Sequence, residues 1–339
     1  MRFDNVAILG LEYVDAPHRV SSSDIMEQLA ETFERLGVRQ DLLVGVAGIE
    51  ARRWWDAGTS PSDAATLAAR KVIASTGVDP SRIGILINTS VCRDYLEPST
   101  ACLVHGNLGL SPECLNFDIG NACLAFLNGM DTAGAMLERG AIDYALVVDG
   151  ETARPVTEST IARLNRPETT AEEARDHFAA LTLGSGAVAM LLGRADEQAG
   201  HSHRFMGGVT LAATQHSGLC KGQMDWMTTD TRRLLAAGVE IASMTWVRAQ
   251  KELGWTPEVL DELVLHQVSR VHTASLLSML RLDIEKAYMT FPEYGNLGPA
   301  SVPLVLAKAA EQGRVHPGSR VGLLGIGSGL NCTMAEVVW

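Results

Sequence analysis

Apolar residues along this chain follow two rhythms that take turns. Runs that are apolar at nearly every position occur at residues 6–11, 83–88, 144–148, 187–192 and 263–265, a last one reaches Trp339, and 115–119 is strand-like with polar residues interleaved. Such runs predict strands covered on both faces. Between them apolar residues recur at helical spacing. Ile25, Leu29, Phe33 and Leu36 follow Asp24, read as the cap, and stop at Gly37. Ser60-Pro61-Ser62-Asp63 is a capping box with proline at the first helical position, so residues 64–75 are helix. Phe126, Leu127, Met130 and Leu137 mark a third helix, opening at Cys123 and stopping at Gly140. This alternation is that of an α/β protein.

Residues 151–178 break the rhythm. They are polar, contain two prolines and restart as helix at Thr170-x-x-Glu173, so they read as a cap near a site or a solvated insertion. Then the pattern repeats. Gly184-Ser185-Gly186 precedes one strand and Gly327-Ser328-Gly329 another, and the run at 263–265 ends at His266 much as 83–88 ends in a polar loop. Asn296 lies seventeen residues before Gly313, the spacing of Cys123 and Gly140. Two similar halves, 1–193 and 205–339, account for this, each supplying one sheet with helices shared between them. If a two-fold axis relates them, Cys123 of the first half faces His266 and Asn296 of the second.

A net charge of −12 argues against general nucleic-acid binding, which needs a basic face. No apolar run reaches the roughly 18 residues of a membrane span. The N-terminus sets a short apolar run between acidic residues, without signal-peptide organisation. The six cysteines (92, 102, 114, 123, 220 and 332) form no CxxC pair, which suits a reducing cytoplasm. A thiol at a helix start meets unpaired N–H groups and the positive end of the dipole, so its pKa is expected to fall. The plain alternative is a small buried core cysteine.

A thiolate, an imidazole and a carboxamide in one pocket suit acyl transfer through a thioester. Cys123 attacks a carbonyl, and backbone N–H groups of Cys123 and of the Gly327-Ser328 turn hold the oxyanion. His266 Nε2 and the Asn296 amide hold a second oxygen, that of an enolate. Singly, a histidine at a strand end is usually a satisfied polar residue and an asparagine here a turn; the trio at matching positions raises the odds. The polar loop 89–100, with Arg93, Asp94, Tyr95 and Glu97, follows a strand's C-terminal end, where α/β proteins place sites. Trp54-Trp55 beside Arg52-Arg53 read as interface or rim residues, or as ligand contacts. Gly325-x-Gly327-x-Gly329 has only ten residues after it, too few for a dinucleotide fold. His201-x-His203 lacks a third ligand nearby, so no metal is expected.

NACLAFLNGMD around Cys123, VLHQVSRVHT around His266, EYGNLGPASVP around Asn296 and LLGIGSGLNC near the end resemble the thiolase superfamily, ketoacyl synthase III branch. NTSVCRDYLEPSTA and DYALVVDGETA are similar to the OleA-type condensing enzymes of long-chain olefin biosynthesis. The resemblance spans essentially the whole chain. It implies a five-layered αβαβα thiolase-like fold from two pseudo-duplicated halves and a homodimer. It further implies head-to-head, non-decarboxylative Claisen condensation of two long-chain acyl-CoA molecules to a 2-alkyl-3-ketoacid. No bound cofactor is implied; coenzyme A enters as carrier and leaving group, and downstream enzymes consume the product. By position Cys123 is the acylated nucleophile, and His266 and Asn296 line the site and stabilise the enolate oxygen. Glu97 matches the glutamate that such enzymes insert from the partner subunit as base. An α-C–H is a poor acid, and without loss of CO₂ something must take that proton. The chain departs from the broader pattern at Leu42 and Val46, where a tryptophan and an arginine grip CoA. That clamp is not carried over, which leaves Arg52 and Arg53 as substitutes. The walls of the two acyl tunnels carry no motif.

Rival readings share some of these residues. Decarboxylative chain initiation with malonyl-ACP needs no base, so Glu97 speaks against it. A condensing enzyme feeding a β-lactone product would share the whole set. A Cys/His/Asn hydrolase would release free acid without a carbon–carbon bond. A silent dimer partner has no use for an intact Cys–His–Asn–Glu set.

Overall fold

The structure, a computed structural model, describes residues 1–197 and 203–339, so His201 lies outside it. The first part runs β1 (Val6–Asp15), β2 (His18–Ser21), α1 (Ser22–Glu27), α2 (Ala30–Leu36), β3 (Ala51–Trp54), α3 (Pro61–Thr76) and β4 (Ile83–Asn88). It continues with α4 (Thr100–Leu108), β5 (Leu115–Asp118), α5 (Ala125–Glu138), β6 (Tyr144–Glu151), α6 (Arg154–Leu164), α7 (Ala171–His177) and β7 (Gly186–Arg194). The second part runs β8 (His203–Ala212), the hairpin β9 (Cys220–Gly222) and β10 (Met227–Thr229), α8 (Thr231–Leu253) and β11 (Glu262–Leu265). It closes with α9 (Arg270–Leu280), α10 (Phe291–Tyr294), α11 (Ser301–Glu311), β12 (Arg320–Gly327) and β13 (Asn331–Val338).

Nine strands join in the order β11-β12-β13-β8-β1-β7-β6-β4-β5. From one edge, β5, β4 and β6 are parallel and β7 and β1 follow antiparallel. From the other edge, β11 and β12 are parallel and β13 and β8 follow antiparallel. A parallel bridge from Leu263 to Ala287 stands outside β11, as β5 stands outside β4. The two series meet where β1 pairs with β8 over Ala7 and Ile8.

Side chains alternate between the faces of a strand, so each strand serves two cores. Leu86, Leu146, Val148 and Ala189 face an outer core closed by Ala64, Ala65 and Ala68 of α3 and Val104 of α4. Leu263, Leu265 and Met334 face another, closed by Ile241 and Trp246 of α8 and Leu276 of α9. Between them Ile85, Ile87, Val147 and Val188 from one series and Val264, Val321 and Leu323 from the other enclose Phe126 and Met130 of α5 and Leu304 of α11. Each of these larger side chains contributes about 1.5–3 kcal/mol by burial. Helix, sheet, helix, sheet and helix stack in five layers, the αβαβα arrangement of the thiolase-like fold.

Three local expectations change. The first helix is capped by Ser21, with Asp24 as the reciprocal partner three residues on, and it breaks before Ala30. Trp54 and Trp55 are buried rather than on a rim; Trp55 Nε1 donates to the Glu151 carbonyl at 3.0 Å. Ile161 and Leu164 of α6 pack on Ile25, Leu29 and Phe33, so the segment after β6 is part of a core and not a solvated insertion. Among the described residues no helix is long and apolar enough to cross a membrane.

Candidate active site

β5 ends at Asp118 and α5 starts at Ala125, so Cys123 sits on the turn ahead of the helix instead of in its first turn. The turn is tight. Ala122 has φ +45°, a region that residues with a Cβ seldom adopt and that clusters at functional sites. Leu124 N–H donates to Asn121 O and Ala125 N–H to Ala122 O, both at 3.1 Å. Asn121 Nδ2 donates to Asn128 Oδ1 on α5 (2.7 Å), and Asn331 Nδ2 on β13 donates to Asn121 Oδ1 (3.1 Å). Side chains of α5 and β13 therefore hold Asn121, two residues before Cys123.

Cys123 opens onto a cavity of about 770 Å³, a size typical of small-molecule sites. Asn296, Ser328 and Glu151 are among its polar residues, with Arg93, Asp94 and Gln223. Val91, Val156, Leu183, Met227 and Leu297 make much of its wall apolar, and Met224 on the hairpin of β9 and β10 adds to it.

Asn296 reaches this wall because its backbone crosses to the other series of strands. Its N–H donates to Thr182 O and its carbonyl accepts the Gly184 N–H, both at 2.9 Å. Gly295 before it has φ +64°, and a Cβ there would come within 2.4 Å of Thr182 O, so only glycine allows that approach. His266 follows β11 and is not itself on the cavity wall. It meets the site through Asn296, with Nε2 3.2 Å from Oδ1, which also accepts the Gly298 N–H at 3.0 Å. Burial, with His272 adding to it, pushes the His266 pKa down to about 4. The ring is neutral at pH 7, and Nε2–H is the donor to Asn296. With Oδ1 so engaged, Asn296 Nδ2 is the donor left for a ligand. Gln267 fixes the segment between them, its Oε1 accepting the N–H groups of Thr290 (2.8 Å) and Phe291 (3.1 Å).

The thiol behaves opposite to expectation. Burial pushes the Cys123 pKa up to about 12, and the neighbouring Cys220, Glu151 and Asp149 push the same way. The expected fall rested on the helix start, but Cys123 precedes the helix, and its own N–H lowers the pKa only partly. Glu151 and Asp149, two apart on β6, lie on one face of the strand. Burial raises both, and the anion of Glu151 lifts Asp149 well above the carboxylate range, so the pair retains a proton.

Comparison with known proteins decides the family. Residues 117–207 match the model of 3-oxoacyl-[acyl-carrier-protein] synthase III, and residues 250–339 match the model of its C-terminal part. The chain is 56% identical to the acyl-CoA:acyl-CoA alkyltransferase of Xanthomonas campestris pv. campestris over 339 residues, all of both chains. It is 37% identical to the protein of that name from Shewanella oneidensis, again over all of both. The solved structure of cerulenin-bound Xanthomonas campestris OleA superposes with a TM-score of 0.98 at 55% identity, covering 100% of this chain and 98% of that one. This chain belongs to the OleA family.

Cys123, Asn296 and Ser328 share one cavity, and His266 supports it from behind. Glu97 does not join them. It is exposed, outside the wall of its own chain's cavity, although Tyr95 and Leu96 beside it line the rim. Arg52 cannot grip a coenzyme: it is fully buried, donating to Ser22 Oγ (3.0 Å) and Leu181 O (2.9 Å). Arg53 stacks over Tyr294 and is not on the cavity wall either. His203 belongs to β8 and stacks on Trp339 rather than sitting in a surface turn. Glu151, Cys92 and Cys220 escaped the sequence reading. For Glu151 the signal was present, since strand alternation puts it on one face with Asp149 at the C-terminal end of an interior strand.

Proposed function

We propose that this chain condenses two long-chain acyl-CoA molecules head to head, without decarboxylation, to a 2-alkyl-3-ketoacid, the first step of long-chain olefin biosynthesis. The observation that supports this best is the meeting of Cys123 with the His266–Asn296 pair at one largely apolar cavity, in a chain related end to end to acyl-CoA:acyl-CoA alkyltransferases. Cys123 Sγ attacks the thioester of the first acyl-CoA, and coenzyme A leaves as the thiol, taking the proton. The N–H groups of Cys123 and Ser328 hold the oxyanion. Loss of the α-proton of the second acyl-CoA gives an enolate whose oxygen meets Asn296 Nδ2, the amide being held in that orientation by His266 Nε2–H. Its carbon attacks the Cys123 thioester, and the cysteine sulfur departs. Water then releases the remaining coenzyme A.

In this reading the base is Glu97 from a second copy of the chain. Glu97 stands next to Leu96, which is 93% exposed, near the unpaired edge strand β5, where Leu115 is 54% and Phe117 38% exposed. An apolar open edge of this kind favours pairing with another chain, here a homodimer. The division into 1–193 and 205–339 fits the matching strand orders, and the reading places the enzyme in the cytoplasm with enzymes downstream that consume a β-keto acid.

Purified protein incubated with myristoyl-CoA alone tests this. A long-chain ketone, from decarboxylation of the ketoacid, with acyl mass on Cys123, is expected. Free myristate as the sole product would make the chain a hydrolase, and turnover only on adding malonyl-ACP would make it a chain initiator. The Glu97→Gln variant is expected to acylate Cys123 and to make at most about a hundredth of the ketone; ketone at the normal rate would remove Glu97 as the base.

A further inference from the structure

The loop that carries Glu97 is fastened at its root to the end of β6. Thr89 N–H donates to Val148 O at 2.9 Å, and Thr89 Oγ1 lies 2.6 Å from Asp149 Oδ2. Gly150 N–H donates to Ser90 Oγ at 2.8 Å. The next two amides both end on one side chain: Val91 N–H donates to Glu151 Oε1 (2.6 Å) and Cys92 N–H to Glu151 Oε2 (3.3 Å). Beyond this point Arg93 reaches Asp118 (3.6 Å) and Asp94 reaches Ser62 Oγ (2.7 Å), and then residues 95–98 project into solvent. Of the two carboxyls at the root, Glu151 also lines the cavity with Cys123.

We infer that Glu151 is a positioning residue for the neighbouring subunit's reaction: from the wall of its own cavity it sets the direction in which the loop 89–99 delivers Glu97 to the other site. The inference rests on the reading that Glu97 serves a partner's site. A carboxylate presents two acceptors and can orient two successive amides together. Glutamine presents one acceptor and would turn its amide donors toward the other N–H. Glu151 is only 5% exposed, beside Asp149, and its side-chain partners are two amides and the Cys92 thiol, none of them a cation. Burying an anion in that way is unfavourable. Two amides alone would be satisfied by neutral acceptors. The carboxyl also joins the loop root to the wall against which an acyl chain packs, so occupancy of one cavity bears on the arm that enters the other.

Two heterodimers, separated by differing affinity tags, test this. In the first, one subunit carries Glu151→Gln with Cys123→Ala and the other is wild type, so the altered loop serves the single working site. In the second, one subunit carries Glu151→Gln and the other Cys123→Ala, so the altered loop serves the dead site. Both contain the same substitutions, and a mere loss of fold lowers both alike. Ketone formation in the first is expected to fall about tenfold below the second, while the acyl mass on the working Cys123 still forms. Equal ketone yields, or a larger loss in the second, would overturn the inference. Glu97→Gln in the same two placements is the control. If it shows no preference for the first, the partner-site reading has failed, and the inference falls with it for that reason and not through Glu151.

Discussion

Replacing Gly327 by alanine is the sharpest test of how the turn that carries Cys123 is held. β12 ends at Gly327 directly under the Cys123 turn. A Cβ there would stand 3.0 Å from Asn121 O, 3.2 Å from Leu124 Cγ and 3.3 Å from Leu124 N, against an ordinary contact of 3.4–4 Å. Two of these atoms are backbone of the turn, so relief requires moving the turn by a few tenths of an ångström. Overpacking of this kind costs about 1–3 kcal/mol. A 1 Å displacement near reacting groups can cost about a hundredfold in rate, so a third to a half of that shift is worth about five- to tenfold. Gly325→Ala is the matched control. Its Cβ would meet Leu124 Cδ2 at 2.5 Å and Leu127 Cδ1 at 2.9 Å, the ends of core side chains and not the turn's backbone. It should destabilise at least as much and slow Cys123 less. The assay is single-turnover acylation by myristoyl-CoA, read as acyl-protein mass, beside urea unfolding of both variants. Wild-type acylation in Gly327→Ala would refute the reasoning, as would rates that merely track stability in the two variants.

Two further outcomes follow from the buried titrating groups. With its pKa pushed up to about 12, Cys123 is a thiol in the resting protein. Its alkylation by iodoacetamide, followed by peptide mass, should rise about tenfold per pH unit from pH 7 to 10; a plateau below pH 8 would show a thiolate instead. Burial also holds His272 at about 4 against an ordinary 6.5. Between those values the unfolded chain binds a proton that the folded chain refuses, so the histidine's contribution is whole above pH 6.5 and is lost as pH falls toward 4. His272→Gln should therefore flatten the acid limb of unfolding free energy by about 1.4 kcal/mol per pH unit in that window, and parallel limbs in wild type and variant would count against it.

The sequence showed most where a rule is local. The capping boxes at Ser60 and Thr170, the apolar runs at 83–88 and 187–192, and the stop at Gly37 all follow from nearest neighbours along the chain. Cys123, His266, Asn296 and Glu97 were legible as a family pattern, and three of these meet at one site. The thiol's pKa was misjudged because it depends on burial and on carboxyls contributed by β6, which periodicity cannot weigh. Trp54 and Trp55 looked like surface aromatics because their cover comes from other elements, Phe33 and Ile161 over Trp54 and Ala65 and Ala187 over Trp55. The hairpin at 220–229, which lines the cavity, carries no apolar periodicity and passed unnoticed.

The central core has a consequence for how the chain is made. Ile87, Val147 and Val188 on one side of α5 are complete once synthesis passes Arg194, but their opposite wall includes Val321 and Leu323. Those residues emerge more than a hundred positions later, on the order of ten seconds at ordinary rates of elongation. Throughout that interval α5 lies on the first sheet, but the apolar flank it turns toward the second sheet lacks Val321 and Leu323 to lie against. A nascent chain in this state is a client for holding chaperones. Slowing translation between codons 195 and 320 should therefore lower soluble yield, while the finished enzyme's stability stays the same.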